Sequence, residues 1–355
     1  LKANGPVFSE WRLINIEALL AGNIEMIEKD GIPRVKVEFR VFDVHGEKQL
    51  IGRRYTVDAR YWRHLAHRIA DDMYTTLTGE KGYFTTRIVF IGEETSVEGK
   101  RIKKLCVMDQ DAHNPQCLTD GSHLVLTPRF NPLLQKIIYM SYANGTPRLY
   151  LHDLPTGKQE IVGDFEGLNS SPRFAPDGKT IAMTLTKGHA GNPEIYNMDL
   201  RTKKLRRLTF HRGIDTSPSY SPDGRKIVFN SNRGGSPNLY IMESDGNRVK
   251  RLTYGEGRYY APVWSPRGDL IAFVKELNGR FHIGVIDPEG EEERLLTDSY
   301  MDESPSWSPN GRVIIFSRQL GDKVRLYSID ITGYNETQIP TPGDASDPAW
   351  SPLLQ

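Results

Sequence analysis

Four acidic residues with similar surroundings are the first candidates for chemistry in this sequence. Each lies in or just before a Ser-Pro or Asp-Pro pair that introduces a short repeated segment; they are Asp215, Asp302, Glu303 and Asp347. Carboxylates that converge can coordinate a hard cation such as Ca²⁺, and a pair of carboxylates can serve a glycan-cleaving enzyme. Water and counterions are the alternative occupants, so the group predicts either a divalent-cation site or a solvated acidic cluster.

Uncharged and aromatic residues at the same places predict a surface that binds another protein. Tyr259 and Tyr260 put two aromatic rings in a segment where a solvated loop would carry polar groups. The alternative is that each candidate is an ordinary solvated loop residue. The predicted partner-binding residues are Leu168, Asn169, Ser171, Asp215, Thr216, Ser217, Tyr259, Tyr260, Asp302 and Glu303, with His189 and Arg233 farther out.

These residues lie in or beside a sequence motif that recurs six times along the chain, called the phrase below. One copy is Asp215-Thr-Ser-Pro-Ser-Tyr-Ser-Pro-Asp-Gly-Arg-Lys-Ile-Val-Phe229, and its second proline recurs at intervals of 43 to 46 residues. An aromatic residue two positions after the first proline predicts packing between adjacent repeats. The Pro-Asp-Gly turn followed by an apolar β-branched run is typical of a hairpin. The second prolines are Pro132, Pro176, Pro222, Pro266, Pro309 and Pro352.

Each repeat divides into four short strands, A to D, which predicts a β-propeller. The first repeat has a strand B from Ile88 but no strand A, and the last strand A, which contains Trp350, has no strand B after it. Pairing Trp350 with Ile88 would complete a six-bladed ring closed by the C-terminal strand. Because strand direction alternates, the D–A and B–C loops, which carry the candidate residues, share one face. The expected fold class is mainly β, with a six-bladed β-propeller over residues 81–355 and a small α+β domain over residues 1–80.

The α+β domain is predicted from local patterns in the first part of the chain. Val35 to Phe42 alternates with the period of a strand, and Gln49 to Val57 supplies the returning strand. Arg60 to Leu77 predicts an amphipathic helix with Trp62 on its apolar face, and Gly79 follows as a stop signal. Because this domain is short, and because Leu1 is not a start methionine, we expect an N-terminally incomplete, processed or truncated chain.

Composition excludes several function classes. The chain has 46 basic and 45 acidic residues among 355, so it lacks the basic bias expected of a nucleic-acid-binding or anionic-membrane-binding protein. No apolar run approaches the length of a transmembrane helix. We therefore expect a protein that neither binds nucleic acid nor spans a membrane.

Motifs of common enzyme classes are missing from the sequence. It contains no Gly-x-Ser-x-Gly elbow, no His-Glu-x-x-His and no phosphate-binding glycine loop. We therefore expect no catalytic residues and a non-enzymatic protein without a cofactor, apart from the divalent cation considered above. The alternatives are a propeller enzyme that acts on glycans and the accessory propeller of a peptidase.

The only two cysteines, Cys106 and Cys117, flank a turn-like segment. A hairpin centred on this segment would place them opposite each other, and a disulfide there would suit an oxidising compartment. Two reduced thiols that pack as small apolar groups are the alternative.

Both the repeats and the segment before them resemble the TolB family, the propellers of the Tol–Pal system. The repeats share Ser-Pro-x-Trp-Ser-Pro-x-Gly, with Leu-Tyr-x-x-Asp and Leu-Thr at set distances. The more specific likeness lies in Tyr61-Trp-Arg-His-Leu-Ala-His67, in Asp71-Asp72, in Leu77-Thr-Gly-Glu-Lys-Gly-Tyr-Phe-Thr-Thr-Arg-Ile88 and in Pro348-Ala-Trp-Ser-Pro352. The resemblance covers essentially the whole chain, whereas the repeats alone are shared with tricorn and dipeptidyl-peptidase propellers.

The resemblance implies a monomeric, non-enzymatic scaffold in the periplasm of a Gram-negative bacterium that helps to maintain the envelope during cell division. It implies that the propeller mouth binds Pal, the peptidoglycan-associated lipoprotein, through positions that correspond to Leu168, Ser171, Thr216 and Ser217. It also implies that TolA is bound through an N-terminal segment that this chain does not contain.

Overall fold

The computed structural model describes residues 5–96, 98–143, 145–165, 167, 169–186 and 191–353, with residue 169 described by its backbone only. The chain divides into two units, one that ends at Thr85 and one that begins at Thr86. The predicted partner-binding residues Leu168 and His189, and the side chain of Asn169, lie outside what is described.

The first unit contains a three-stranded antiparallel sheet in the order β1-β2-β3. The predicted hairpin is confirmed as β2 and β3, whereas β1, a twelve-residue strand, was not predicted. Its apolar residues are largely exposed, including Ile24 at 72% and Met26 at 64%, so burial does not alternate along it as it does along a half-buried strand. The elements are α1 (Phe8–Leu13), β1 (Ala18–Lys29), β2 (Ile32–Asp43), β3 (Lys48–Asp58), a 3₁₀ turn (Ala59–Tyr61) and α2 (Trp62–Thr78).

Helix α2 confirms the predicted helix, although only part of its apolar face is buried. Leu65 packs against Val35 and Val37 of β2, and Ile69 borders this cluster. The expectation for the first turn is wrong, since Trp62 is 54% exposed. The helix ends at Gly79, which adopts the left-handed conformation (φ 75°) that glycine tolerates best.

Asp71 of α2 fixes the segment that follows the helix. Its carboxylate accepts hydrogen bonds from the backbone N–H groups of Phe84 (2.8 Å) and Thr85 (3.1 Å), and from the hydroxyl of Thr85 (2.6 Å). The ring of Tyr74 lies edge-on to those of Tyr83 and Phe84. The end of the first unit is therefore held by both polar and aromatic contacts.

In the described part of the second unit, the strands form six antiparallel sheets of four strands each, so the chain is mainly β. Sheet 1 combines β27 (Asp344–Trp350) with β4 (Arg87–Thr95), β5 (Arg101–Asp109) and β6 (Gln116–Cys117). Sheet 2 comprises β7 (Val125–Phe130), β8 (Lys136–Ser141), β9 (Arg148–Asp153) and β10 (Gln159–Gly163). Sheet 3 comprises β11 (Asn169–Phe174), β12 (Thr180–Thr186), β13 (Pro193–Asp199) and β14 (Leu205–Arg207).

The remaining sheets follow the same order along the chain. Sheet 4 comprises β15 (Asp215–Tyr220), β16 (Lys226–Ser231), β17 (Asn238–Glu243) and β18 (Lys250–Arg251). Sheet 5 comprises β19 (Arg258–Trp264), β20 (Ile271–Leu277), β21 (Arg280–Ile286) and β22 (Arg294–Leu295). Sheet 6 comprises β23 (Asp302–Trp307), β24 (Val313–Leu320), β25 (Lys323–Asp330) and β26 (Thr337–Ile339).

The first strand of each sheet, which we call the leading strand, carries the Pro-x-aromatic of the repeat. Leading strands contact one another in chain order, β7 to β11, β15, β19, β23 and β27, and β27 also contacts β7. The predicted pairing of Trp350 with Ile88 is confirmed, because β27 is antiparallel to β4 with these two residues opposite each other. The last segment of the chain thereby supplies the leading strand of sheet 1.

The apolar runs of the second strands pack between neighbouring sheets. Ile138 and Met140 of sheet 2 belong to one buried cluster with Ile181 and Met183 of sheet 3. Strands that are buried on both faces read as continuous apolar runs and not as alternating ones. This explains why the repeat carries runs such as Ile-Ile-Tyr after its turn.

The Leu-Thr pair of the repeat has a local structural role. In each case the threonine hydroxyl accepts a hydrogen bond from a backbone N–H of the third strand, which ties the short fourth strand to the sheet. The pairs are Leu105–Thr119 (2.9 Å), Ile195–Thr209 (2.9 Å), Leu239–Thr253 (3.0 Å) and Ile283–Thr297 (2.9 Å).

Cys106 and Cys117 form a disulfide. They lie directly opposite each other on β5 and β6, as the hairpin alternative predicted. The alternative of two reduced thiols is therefore wrong for this structure.

Candidate functional site

Each leading strand contains a β-bulge at the residue before the first proline of the repeat. The residue at this place has φ between 46° and 56°, a left-handed conformation that costs a non-glycine residue roughly 1–3 kcal/mol. Bulges re-aim neighbouring side chains and often border functional sites. The bulge residues are Thr127, Ser171, Ser217, Ala261, Ser304 and Asp347, each followed by its proline.

The two residues before each bulge residue differ sharply in burial, and we name two layers from them. The buried layer stands three positions before the proline, and its described side chains are at most 2% exposed: Val125, Asp215, Tyr259, Asp302 and Ala345. The rim layer stands two positions before the proline, and solvent reaches every member: Leu126, Ser170, Thr216, Tyr260, Glu303 and Ser346. A strand alternates its side chains between two sides, which is why adjacent residues separate in this way.

Asp302, a predicted partner and metal residue, is engaged inside its own sheet. The guanidinium of Arg318 donates to both of its carboxylate oxygens (Nε 2.7 Å, Nη2 2.9 Å) and also binds Glu336 (2.5 and 2.8 Å). Hydrogen bonds to these two carboxylates outweigh the effect of burial and raise the pKa of Arg318. The expectation that Asp302 faces a partner is wrong, because its side chain has no exposed surface.

Asp215 has the same role in sheet 4. Its carboxylate lies 2.6 Å from Nη2 of Arg233, whose side chain is only 15% exposed. Burial raises the pKa of Asp215, while a hydrogen bond from Ser231 and the charge of Arg233 act in the opposite direction. Asp215 and Arg233 therefore form a largely buried ion pair, which contradicts their predicted exposure to a partner.

Tyr259 is wrongly predicted as an exposed aromatic residue. It has no exposed surface, its hydroxyl donates to Glu293 (2.7 Å), and Lys275 lies 4.8 Å from its ring centroid. Lys275 in turn binds Glu293 (2.5 Å). Desolvation is the main cause that raises the pKa of Tyr259.

The predicted cation site is not formed among the described residues. No group of three or more His, Cys, Asp or Glu side chains in them could hold a metal ion. Asp215 and Asp302 are bound by arginine, and Asp347 accepts from the hydroxyl of Ser304 (2.8 Å). The acidic residues thus neutralise internal cations or bridge neighbouring sheets, and they do not converge on one point.

Five of the predicted partner residues are reached by solvent, two at bulge positions and three in the rim layer. They are Ser171, Thr216, Ser217, Tyr260 and Glu303. Solvent reaches part of the Glu303 side chain, but nearby protein atoms desolvate its carboxyl group. This desolvation raises the pKa of Glu303, and the negative charge of Asp347 adds to the rise. These residues and the loops that lead into the leading strands make up what we call the loop face.

Three exposed aromatic residues of the loop face were not among the predicted partner residues. Phe210 and Tyr254 are 75% and 74% exposed, and Tyr300 is 64% exposed. Arg207 lies 4.6 Å from the ring centroid of Phe210, and Arg251 lies 4.9 Å from that of Tyr254. The available signal was an aromatic residue directly after Leu-Thr in two repeats, where a solvated loop would have a polar residue.

Comparison with known proteins assigns the chain to a family. The model of the TolB β-propeller domain matches residues 74–354, and the model of the TolB amino-terminal domain matches residues 2–50. The chain belongs to the TolB family. The crystal structure of TolB from Acinetobacter baumannii shares 32% identity with it at a TM-score of 0.91, over 98% of this chain and 86% of that one.

More distant structures share the fold alone. A structure named as a candidate TolB from Agrobacterium tumefaciens has 22% identity and a TM-score of 0.60, over 74% of this chain and 91% of that one. A chain of a nidogen/laminin complex has 10% identity and a TM-score of 0.63, over 76% of this chain and 100% of that one. The TolB match thus extends over both units, whereas the likeness in fold alone extends to a structure that is not named as TolB.

Helix length bears on the membrane prediction. Among the described residues, no helix of this TolB-family chain is both long enough and apolar enough to cross a bilayer.

Proposed function

We propose that this chain is a non-catalytic periplasmic scaffold of the Tol–Pal system. In this proposal it binds the peptidoglycan-associated lipoprotein Pal and supports outer-membrane integrity and constriction during cell division. Membership of the TolB family, through both its propeller and its amino-terminal domain models, supports the assignment to the Tol–Pal system, in which TolA is proposed as a second partner.

The proposed architecture is a monomer with two domains. Residues 1–80 form the α+β domain, and residues 81–355 form a propeller of six blades whose ring is closed by the C-terminal strand. The cyclic order of contacts between leading strands and the pairing of β27 with β4 support this closure. A closed ring leaves no unpaired sheet edge between its first and last blades.

The observation that carries Pal binding is the set of exposed aromatic rings on the loop face. Phe210, Tyr254 and Tyr300 each expose more than 60% of their surface, and they lie in the loops that lead into the strands carrying the accessible rim-layer residues Thr216, Tyr260 and Glu303. Aromatic rings bury large areas with little loss of side-chain entropy, and they are enriched among the residues that dominate protein interfaces. A partner that covers these rings would remove several exposed apolar surfaces at once.

Calorimetric titration with the soluble domain of Pal tests this proposal. We expect Tyr254→Ala and Thr216→Lys each to weaken binding by at least tenfold, because the first removes an aromatic contact and the second adds bulk and charge at the rim. The matched control is Tyr334→Ala, since Tyr334 is equally exposed at 74% but lies in a turn between the third and fourth strands, on the opposite face. Equal affinity of all three variants and the wild type would refute the proposed site.

A further inference from the structure

Sheets 4 and 6 each hold one arginine over a pair of aromatic rings. In sheet 4, Arg233 lies 5.2 Å from the ring centroid of Phe229 and 5.1 Å from that of Tyr240. In sheet 6, the guanidinium of Arg318 lies 5.3 Å from the Phe316 centroid and 4.5 Å from the Tyr327 centroid. The repeat therefore builds a site in which a guanidinium is stabilised by aromatic faces.

Sheet 2 has the two aromatic rings of this site, but uncharged residues stand where sheet 4 has its arginine and its aspartate. Tyr139 and Tyr150 lie opposite each other, as Phe229 and Tyr240 do in sheet 4, and their centroids are 5.6 Å apart. Four residues after Tyr139 the chain has Ala143, where the same step from Phe229 leads to Arg233. The buried layer has Val125 in place of Asp215. In the described ranges of the chain, no cation–π contact involves Tyr139 or Tyr150; Arg148 interacts with the side chain of Tyr150 by hydrogen bonding and by charge, and it also pairs with Asp164 (2.9 Å).

A cavity of about 380 Å³ occupies this place in sheet 2. Tyr139, Tyr150, Val125 and Ala143 line it, together with Ser141. Ser141 is the counterpart of Ser231, the last residue of β16, whose hydroxyl lies 3.0 Å from Nε of Arg233 in sheet 4. The walls that surround an internal arginine in sheet 4 thus surround open space in sheet 2.

Hydrogen-bond acceptors border the same cavity. Gln159 corresponds to Glu336, which binds Arg318 in sheet 6, and its Oε1 accepts from the hydroxyl of Tyr139 (3.1 Å). Asp120 lies at the exposed edge, where it accepts from the backbone N–H (2.9 Å) and the hydroxyl (2.6 Å) of Ser122. One carboxylate and one amide oxygen therefore accompany the two rings.

We propose that this cavity of sheet 2 binds an arginine side chain of a partner polypeptide. The incoming guanidinium would take the place that Arg233 and Arg318 fill in their own sheets, with Asp120 supplying the opposite charge. Arginine is favoured over lysine because its planar group stacks on aromatic rings and donates several hydrogen bonds at once. This proposal concerns one chemical contact and does not depend on the partner being Pal.

Titration of the whole chain with N-acetylarginine amide, followed by calorimetry, tests the proposal. The citrulline counterpart has nearly the same shape without the charge, and we expect it to bind at least tenfold more weakly. Equal binding of the two compounds, or no saturable binding of the arginine compound, would overturn the proposal. Neither outcome bears on Pal binding, which is measured separately.

Arginine binding by four variants tests whether the site is this cavity: two change its lining, one removes the charge at its edge, and one is a control away from it. Ala143→Arg supplies an internal guanidinium, and Tyr150→Leu keeps apolar volume but removes a ring, so both should abolish binding while thermal unfolding shows that the fold is retained. Asp120→Asn should weaken binding about fivefold, as expected for one accessible ion pair. Its control is Asp245→Asn, because Asp245 caps a similar turn away from the cavity by accepting from Asn247 (2.9 Å). Undiminished binding in Ala143→Arg and Tyr150→Leu would place the site elsewhere.

Discussion

Adjacent residues of the leading strands, similar in chemistry, have opposite environments. Asp302 is completely buried beneath Arg318, whereas Glu303, the next residue, is exposed. Tyr259 is completely buried and Tyr260 is partly exposed. The difference teaches that, of these two layers, the buried layer serves the fold and the rim layer is the one that solvent and a partner can reach.

The buried-layer residues share their burial, but they differ in their contacts from sheet to sheet. Asp302 neutralises an arginine, Tyr259 donates to the carboxylate of a Lys–Glu pair, and Ala345 is simply enclosed. Buried charges need partners, because an unpaired one would cost several kcal/mol, roughly 3–5 on removal of its counterion. Each sheet therefore constrains its buried-layer residue together with that residue's partners. The rim-layer residues keep contact with solvent even where they also bond within the sheet, as Thr216 does to Asn230 (3.2 Å).

The contrast between the two layers predicts its largest difference in the free energy of unfolding for variants of Tyr259 and Tyr260. Tyr259→Ala should destabilise the second unit by about 4 kcal/mol, because it empties a fully buried aromatic site and removes a hydrogen bond to Glu293. Tyr260→Ala should cost about 1 kcal/mol, since its ring is partly solvated. Urea unfolding of both variants measures the difference, and similar losses would show that the two layers are not distinct.

The acidic pair should give the next largest effect. Asp302→Ala should cost about 3 kcal/mol, because Arg318 loses two hydrogen bonds in a buried site and keeps only those to Glu336. Glu303→Ala should change the free energy of unfolding by less than about 0.5 kcal/mol, as is usual for accessible positions. A double variant, Asp302→Ala with Arg318→Met, serves as the control: it should recover part of the loss, since no buried charge is then left without its carboxylate.

The architecture was predictable because it rests on a repeated pattern. The recurrence of the phrase implied four strands per repeat, and the missing strands at the two ends implied that Trp350 pairs with Ile88. Strand β1 was not predicted, since adjacent apolar pairs, Leu19-Leu20 and Met26-Ile27, interrupt the short alternation around Ile24, and its side chains are largely exposed. Pattern reasoning succeeds where burial imposes a period and fails where it does not.

The sequence alone did not show which of two adjacent site residues lies in the buried layer and which lies in the rim layer. The bulge residues are Thr, Ser, Ala and Asp, so no glycine indicates the left-handed conformation that sets which neighbour is buried. The buried cations also follow no fixed spacing: Arg233 stands four residues after Phe229, whereas Arg318 stands two after Phe316. Tyr259 and Tyr260 therefore looked equivalent, although only one can meet a partner.

The smallest expected effect concerns the pH dependence of the rim layer. Desolvation and the charge of Asp347 raise the pKa of Glu303 above its ordinary value of 4.5, so the folded state favours the protonated form. Ionisation at neutral pH therefore weakens the fold slightly, and Glu303→Gln should be more stable there by a few tenths of a kcal/mol, allowing for solvent screening. The advantage should shrink as the pH falls through the raised pKa and vanish below about 4.5, where the glutamate is protonated in both folded and unfolded chains. Repeating the pH series in an Asp347→Asn background should reduce the advantage, because one cause of the shift is then removed; an advantage that does not vary with pH would instead assign it to packing.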